Sequence, residues 1–350
     1  MVDWSRWDKY ENNFEKCRQY KSMLIYGIEK ENEYDVSIVI PTFKRSKTLR
    51  QAIESALEQS QSVNYNIIVV DNCAEIDPET DELMRQYCEK HRNILYYRNE
   101  INMGIVGNWN RGIELCTGSW MCMLHDDDLL KPNFLTAMMR IIKNEQVGIC
   151  GSYRELLDER EDKRNQIGYH GLVGKGMELY THLRKQTPIR LNMQDVAYSR
   201  HFPCNPYMIN KKCALEIGGF SHSFLIADLV FPAIMIKRYG ACMIPDKLAI
   251  CRFSQNESTK GEMMRLMIEY GSKMAEEAAK KISVSAKFAE KRRQEAVIIE
   301  YNIFPNLKNI IDFQEIFYEY HLDSKYKFKM IRKIVLLKYY IGWGMTFFRN

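Results

Sequence analysis

The sequence predicts an α/β fold with a mostly parallel central sheet flanked by helices, followed by a helical C-terminal region. Three observations predict it. Short apolar runs at residues 36–40, 67–70, 94–97 and 121–124 each stop at a polar or turn-forming residue. Segments of helical period separate them, the alternation that sets strands side by side through right-handed crossovers. The third observation is the stretch "WMCMLHDDDLLKP", residues 120–132, where an apolar run gives way to His125 and three consecutive carboxylates, Asp126, Asp127 and Asp128. An apolar strand before the acids and a Pro-started helix after them put the carboxylates at the carboxyl end of a sheet, where open α/β sheets bind ligands. Carboxylates this close repel one another, and a cation or solvent relieves the repulsion. From these residues alone the acids read either as a solvated turn or as a cation site.

Taken in order, residues 1–34 place Trp4, Trp7, Tyr10, Phe14, Cys17, Tyr20 and Leu24 at steps of three and four, predicting a helical extension whose aromatic stripe docks on the body of the protein. The first core strand follows over 36–40 and is ended by Pro41. Ser46 then reads as the N-cap of a helix running to about Glu58, with Leu49, Ile53, Ala56 and Leu57 inward. A second strand at 67–70 stops at Asp71 and Asn72, and a helix over 80–91 leads to the third strand at 94–97. After a loop with Asn102 and Gly104, a helix carries Val106, Trp109, Ile113 and Leu115 up to the turn at Gly118. Residues 148–152 suggest a further strand, and the polar, glycine-containing 154–176 a flexible loop. From Gly261 the pattern is helical.

Composition bounds the function. The 350 residues are 46% hydrophobic and 12% aromatic, enough to bury a large core. Net charge is +5, with 50 basic and 45 acidic residues mixed along most of the chain, which argues against a general nucleic-acid binder. Ten cysteines without regular spacing fit a reduced cytoplasmic compartment. The charged N-terminus is no signal peptide, and no apolar stretch approaches the roughly 20 residues of a spanning helix. There is no G-x-x-x-x-G-K-[ST], no G-x-G-x-x-G and no zinc spacing. His201 and His222 carry no definite role.

The order of "VSIVIPTFKR", "IIVVDN", "NMGIVGNWNRGIELCTGSW" and "LHDDDLLKP" resembles the nucleotide-sugar-binding half of the GT-A-fold, family-two glycosyltransferases, inverting enzymes that build bacterial polysaccharides. The resemblance continues to about Thr259. It implies a GT-A-like (nucleotide-diphospho-sugar transferase) catalytic domain over 35–259, its nucleotide-sugar half at 35–132 and its acceptor half at 133–259. Residues 1–34 would precede it and 260–350 follow it as a helical region with a basic aromatic tail.

Breaking the anomeric bond of a nucleotide-diphosphate sugar adds charge to the leaving phosphate. A divalent ion across the phosphates offsets that charge, and hard oxygen ligands suit Mg²⁺ or Mn²⁺. The resemblance gives the ligand role to Asp127, then Asp128, with Asp126 near the ribose or sugar; His125 stands where the family often has another acid. It further implies contacts to base and ribose from Pro41, Thr42, Arg45, Asp71 and Asn72, although Asp71 also reads as the cap of the next turn. Asn102 and Gly104 would approach the diphosphate, with Asn108 and Arg111 on the helix behind, Arg111 being equally readable as a surface residue. Asp228, in "FLIADLVFPAIMIKRYG" after Gly218, Gly219 and Phe220, matches the family's general base. It also reads as an N-cap, and Ala227 replaces the acid that usually precedes it.

The donor implied is most often a UDP-sugar, and the acceptor a hydroxyl of a saccharide or lipid-linked molecule. The last 26 residues hold seven Lys or Arg and no acid among aromatic and aliphatic side chains. They read as a membrane-surface anchor over 325–350 on the cytoplasmic face, or as a helix docked on the catalytic domain. A catalytically inactive nucleotide-sugar-binding protein of the same fold is the alternative, motivated by His125, Asn72 and Ala227. A nucleotidyltransferase would need glycines in the first loop, which "PTFKRSK" lacks.

Overall fold

The computed structural model describes residues 3–29, 34–159, 188–197, 206–253, 261–283 and 294. The tail over 325–350 and most of the 154–176 loop lie outside them. Among the described residues ten strands form one sheet. They are β1 (Ser22–Tyr26), β2 (Val36–Thr42), β3 (Tyr65–Asp71), β4 (Ile94–Asn99), β5 (Trp120–Met123), β6 (Leu129–Leu130), β7 (Ile149–Asp158), β8 (Ile189–Leu191), β9 (Tyr207–Asn210) and β10 (Ala241–Phe253). The helices are α1 (Glu15–Arg18), α2 (Ser46–Leu57), α3 (Pro78–Lys90), α4 (Gly104–Leu115), α5 (Phe134–Asn144), α6 (Met193–Ala197), α7 (Lys211–Glu216), α8 (Ala227–Tyr239) and α9 (Gly261–Lys281).

The strand order is β1-β4-β3-β2-β5-β9-β7-β10-β6, with β8 on β10. In the first half β4, β3, β2 and β5 run parallel, as the sequence predicts. Parallelism stops there. β9 lies antiparallel between β5 and β7, and β10 runs parallel to β7 while β6 and β8 pair with it antiparallel. The sheet is therefore mixed across the molecule, because the second-half strands return by connections other than simple βαβ crossovers.

Strand alternation divides the core between the two faces. Ile38, Ile40, Ile67, Val69, Cys122 and Leu124 pack with α2, α3 and α5, whereas Val39, Ile68, Val70, Met121 and Met123 face α4 and α8. All of these side chains are buried. A register slip of one residue would exchange the two faces, so the apolar runs pin the register and with it the level at which every strand ends.

The helical extension expected over 1–34 does not form. A single 3-10 turn at Trp4–Arg6 and the one-turn α1 are followed by β1, which pairs antiparallel with β4 through Ser22↔Asn99, Met23↔Arg98 and Leu24↔Tyr97. Unpaired amides on the β4 edge offer ladder bonds that outweigh the local helical spacing. The aromatic residues do dock, from an irregular segment. Trp7 and Phe14 are buried, and Trp4 sits 5.1 Å from Phe224 and 4.8 Å from Tyr270 of α9. Asn13 grips the Gly218 carbonyl with both its backbone N–H (3.0 Å) and its side-chain amide (3.2 Å). Gly218 has φ +86°, and a Cβ there would come within 2.0 Å of the Glu11 carbonyl oxygen, so this crossing accepts only glycine.

Candidate active site

The acid turn is built from two sides. Beyond β5, the Leu124 N–H still donates to the Val39 carbonyl at 3.0 Å, and the Asp128 N–H closes a turn onto the His125 carbonyl at 3.1 Å. The end of β2 supplies Thr42, whose hydroxyl donates to Asp126 Oδ2 at 2.7 Å, and Arg45, whose Nη1 donates to Asp126 Oδ1 at 3.3 Å and Asp127 Oδ2 at 3.0 Å. From the other side comes Arg252 of β10. Its backbone N–H donates to Asp128 Oδ1 at 3.0 Å and its Nε to the Asp127 carbonyl at 3.1 Å, while the guanidinium also bonds Gln51 of α2 and Glu159 past β7.

Burial and charge set the electrostatics. Asp126 and Asp128 are nearly solvent-free. Burial pushes the Asp126 carboxyl above its usual range, against the opposing pull of Arg45. Asp128 is pushed up to about 6, first by burial and then by the charge of Asp127, with His125 and Arg154 drawing it back. Asp228 lies on the first turn of α8, and burial raises it too; His125 again opposes, followed by backbone N–H groups of α8 and Arg154. Asp128 and Asp228 thus share His125 and Arg154 as electrostatic neighbours. The structure brings the predicted metal ligand and the predicted base to one place. Asp228 is the second residue of α8 rather than its N-cap, which is Ile226.

His125 enters the site more closely than its place in the sequence suggests. Its ring stacks on Trp109 of α4 at 5.4 Å and 13°. One donor atom each from His125, Asp127 and Asp128 lie within 4.8 Å of one another. A buried carboxyl held above its ordinary range by a like charge gains from a bound cation, and two carboxylates with an imidazole are a competent ligand set. These residues fit a divalent ion.

Other predicted residues are spent on the scaffold. Asp71 is buried, and each of its oxygens already accepts one bond, from the Tyr96 hydroxyl at 2.7 Å and the Cys73 N–H at 3.0 Å. Its reading as the cap of the next turn is the one its backbone contact matches. Asn72 donates to Asn102 Oδ1 at 2.8 Å and the Gly104 carbonyl at 3.2 Å, and accepts from the Met103 N–H at 2.9 Å. Asn108 is buried and donates to the Val70 carbonyl at 3.0 Å; Asn99, absent from the sequence-based set, bridges Asn72 and Asn108. Arg111 donates to the Cys17 and Tyr20 carbonyls at 2.9 and 2.7 Å, satisfying carbonyls at the end of α1. Asn108 and Arg111 thus brace the scaffold behind the loop, Asn108 through Val70 and Asn99 and Arg111 through α1 and Glu114. Pro41 is buried in β2, directly before Thr42, and Gly104 starts α4 at φ +71° with nothing beside it. Arg252, Arg154 and Gln51 were missed because each is a lone polar residue whose partners are far along the chain.

Acids thus gather at the carboxyl ends of parallel strands, with a further carboxylate brought from the mixed half, on a sheet of the GT-A type. The family model "Glycosyl transferase family 2" matches residues 37–216, and the chain belongs to that family. An uncharacterized protein of Mycobacterium tuberculosis is 25% identical over 231 residues, 64% of this chain and 69% of that protein. The putative colanic acid biosynthesis glycosyl transferase WcaA of Escherichia coli is 33% identical over 106 residues, 30% of this chain and 36% of WcaA. An uncharacterized glycosyltransferase of Methanocaldococcus jannaschii is 27% identical over 126 residues, 35% of this chain and 43% of that protein. In fold, S. aureus TarS 1–349 in complex with UDP-GlcNAc superposes with a TM-score of 0.51 at 12% identity, covering 88% of this chain and 92% of that one.

Proposed function

We propose that the protein is an inverting glycosyltransferase that moves a sugar from a nucleotide-diphosphate donor, of the UDP-sugar class, to a hydroxyl of a saccharide or lipid-linked acceptor. The observation that carries this is the meeting of the acid turn and Asp228 around His125 and Arg154. TarS, which shares the fold, is described with UDP-GlcNAc, and WcaA is named for colanic acid biosynthesis; both support a nucleotide-sugar donor and a saccharide product.

Asp127 and Asp128 would hold a divalent ion, Mn²⁺ or Mg²⁺, which when bound supplies Lewis-acid stabilisation to the leaving diphosphate. Pro41, Thr42, Arg45 and Asp126 line the donor side, and the loop of Asn102 and Gly104 borders it. Asp228 accepts the proton of the acceptor hydroxyl. That oxygen attacks the anomeric carbon from the face opposite the diphosphate, and the nucleoside diphosphate leaves with the electron pair of the broken bond. The His125 and Arg154 charges favour the ionised form of Asp228 that this role needs. Residues 325–350 supply cations and aromatic groups for a membrane surface where a lipid-linked acceptor resides.

The test is calorimetric binding of a panel of nucleoside diphosphates with Mn²⁺, with Mg²⁺ and with chelator, beside transfer assays with the matching sugar. One nucleotide should bind in a metal-dependent way, and Asp127→Ala should lose it. Asp127→Ala and Asp228→Asn should each cut transfer at least ~100-fold. Nucleotide binding without consumption of any donor would favour the inactive binding protein, the reading that Ala227 and Asn72 motivate.

A further inference from the structure

The donor atoms that cluster within 4.8 Å of one another belong to His125, Asp127 and Asp128, so the group that completes a compact set beside the two carboxylates is the imidazole of His125. Its ring plane is fixed by the stack on Trp109, so little side-chain freedom remains to be lost when an ion binds. Magnesium demands near-octahedral oxygen coordination, whereas imidazole nitrogen suits first-row transition ions. We infer that His125 is a third ligand to the ion held by Asp127 and Asp128, and that it turns the site into a mixed nitrogen–oxygen set selective for a first-row transition ion over Mg²⁺. This rests on the nucleotide and metal reading above, and it accounts for a histidine standing where the family often has an acid.

The experiment uses the full chain grown with ¹⁵N-histidine, Mn²⁺ as the probe ion and UDP as the probe nucleotide. Pulsed electron paramagnetic resonance should show ¹⁵N coupling to bound Mn²⁺, and competition should show Mn²⁺ bound at least ~10-fold more tightly than Mg²⁺, the scale on which a single change in a metal's environment alters affinity. His125→Phe keeps an aromatic ring against Trp109 and removes the nitrogen. In that variant the coupling should vanish and Mn²⁺ affinity should fall at least ~10-fold. His125→Asp should keep the ion but erase the preference over Mg²⁺.

Coupling absent in the wild type, while Mn²⁺ binds and is lost in Asp127→Ala, would overturn the histidine ligand and leave the metal reading standing. Equal affinity for the two ions in the wild type would overturn the selectivity. UDP binding with no Mn²⁺ uptake would overturn this inference and spare the nucleotide reading; neither binding would overturn both.

Discussion

Asp228, the proposed base, also suits its place in the fold. On the first turn of α8 its charge suits the helix N-terminus, and backbone N–H groups there stabilise the carboxylate. Burial still leaves its pKa above the ordinary 3.8, so the base form is lost as pH falls through a point higher than for a solvated Asp. Transfer rate should therefore rise with pH along a limb displaced above 3.8, and the residual rate of Asp228→Asn should lack that limb in a pH–rate profile. Arg252 is the complementary case, a positioning residue whose forked head touches the Asp127 carbonyl, Gln51 and Glu159 together. Arg252→Lys keeps the charge and the backbone bond to Asp128 but loses the fork. It should weaken metal-dependent UDP binding ~10-fold or more while the melting transition shifts little.

At the scale of elements, the loop entering α4 is held by asparagine side chains rather than by backbone pairing. Asn72 alone makes contacts with Asn99, Asn102, Met103 and Gly104. Removing it strands buried donors and acceptors, so Asn72→Ala should cost about 1–3 kcal/mol in a denaturant titration and raise the donor KM more than it lowers kcat. The sequence expected this loop to approach the diphosphate, and in the fold Asn72 braces it from the end of β3. Its further contacts with Asn99 and Met103 were not legible there, because an Asn at a strand end looks the same in sequence whether it meets a nucleotide or a neighbouring backbone group.

Across the whole molecule, the N-terminal segment fastens α8 and α9. Asp8 is buried and bonds Lys237 of α8 and Lys281 of α9, with Trp7 beneath the Lys281 ammonium. Burial pushes the Asp8 carboxyl up, but the two lysines outweigh it and leave it below 3.8. A depressed carboxylate contributes stability that is present above the unfolded value and lost as pH falls through the folded one. Asp8→Asn should lower stability by about 1–2 kcal/mol at pH 7, discounted because the lysines are partly solvated. The gap between variant and wild type should close in melts below pH 3.8. For the C-terminal tail, co-sedimentation with anionic vesicles should fall when residues 325–350 are removed, while binding of UDP stays as it was.

Local sequence determined the strands, their polar ends and the acid turn, because burial on both faces demands apolar runs and the ligand edge demands that they stop. Through the resemblance of their motifs it also singled out Asp127, Asp128 and Asp228, the residues the proposed mechanism uses. The tertiary structure decided what depends on distant partners. Residues 22–26 became a strand because β4 had an open edge, Arg252 reached the acid turn from 124 residues away along the chain, and Asp71 was closed in by Tyr96. His125 stands beside its carboxylates already in the sequence, but only the fold sets Trp109 against its ring. Spacing reports what neighbours along a helix or strand share, but long-range hydrogen bonds such as those of Arg252 join groups that only packing brings together.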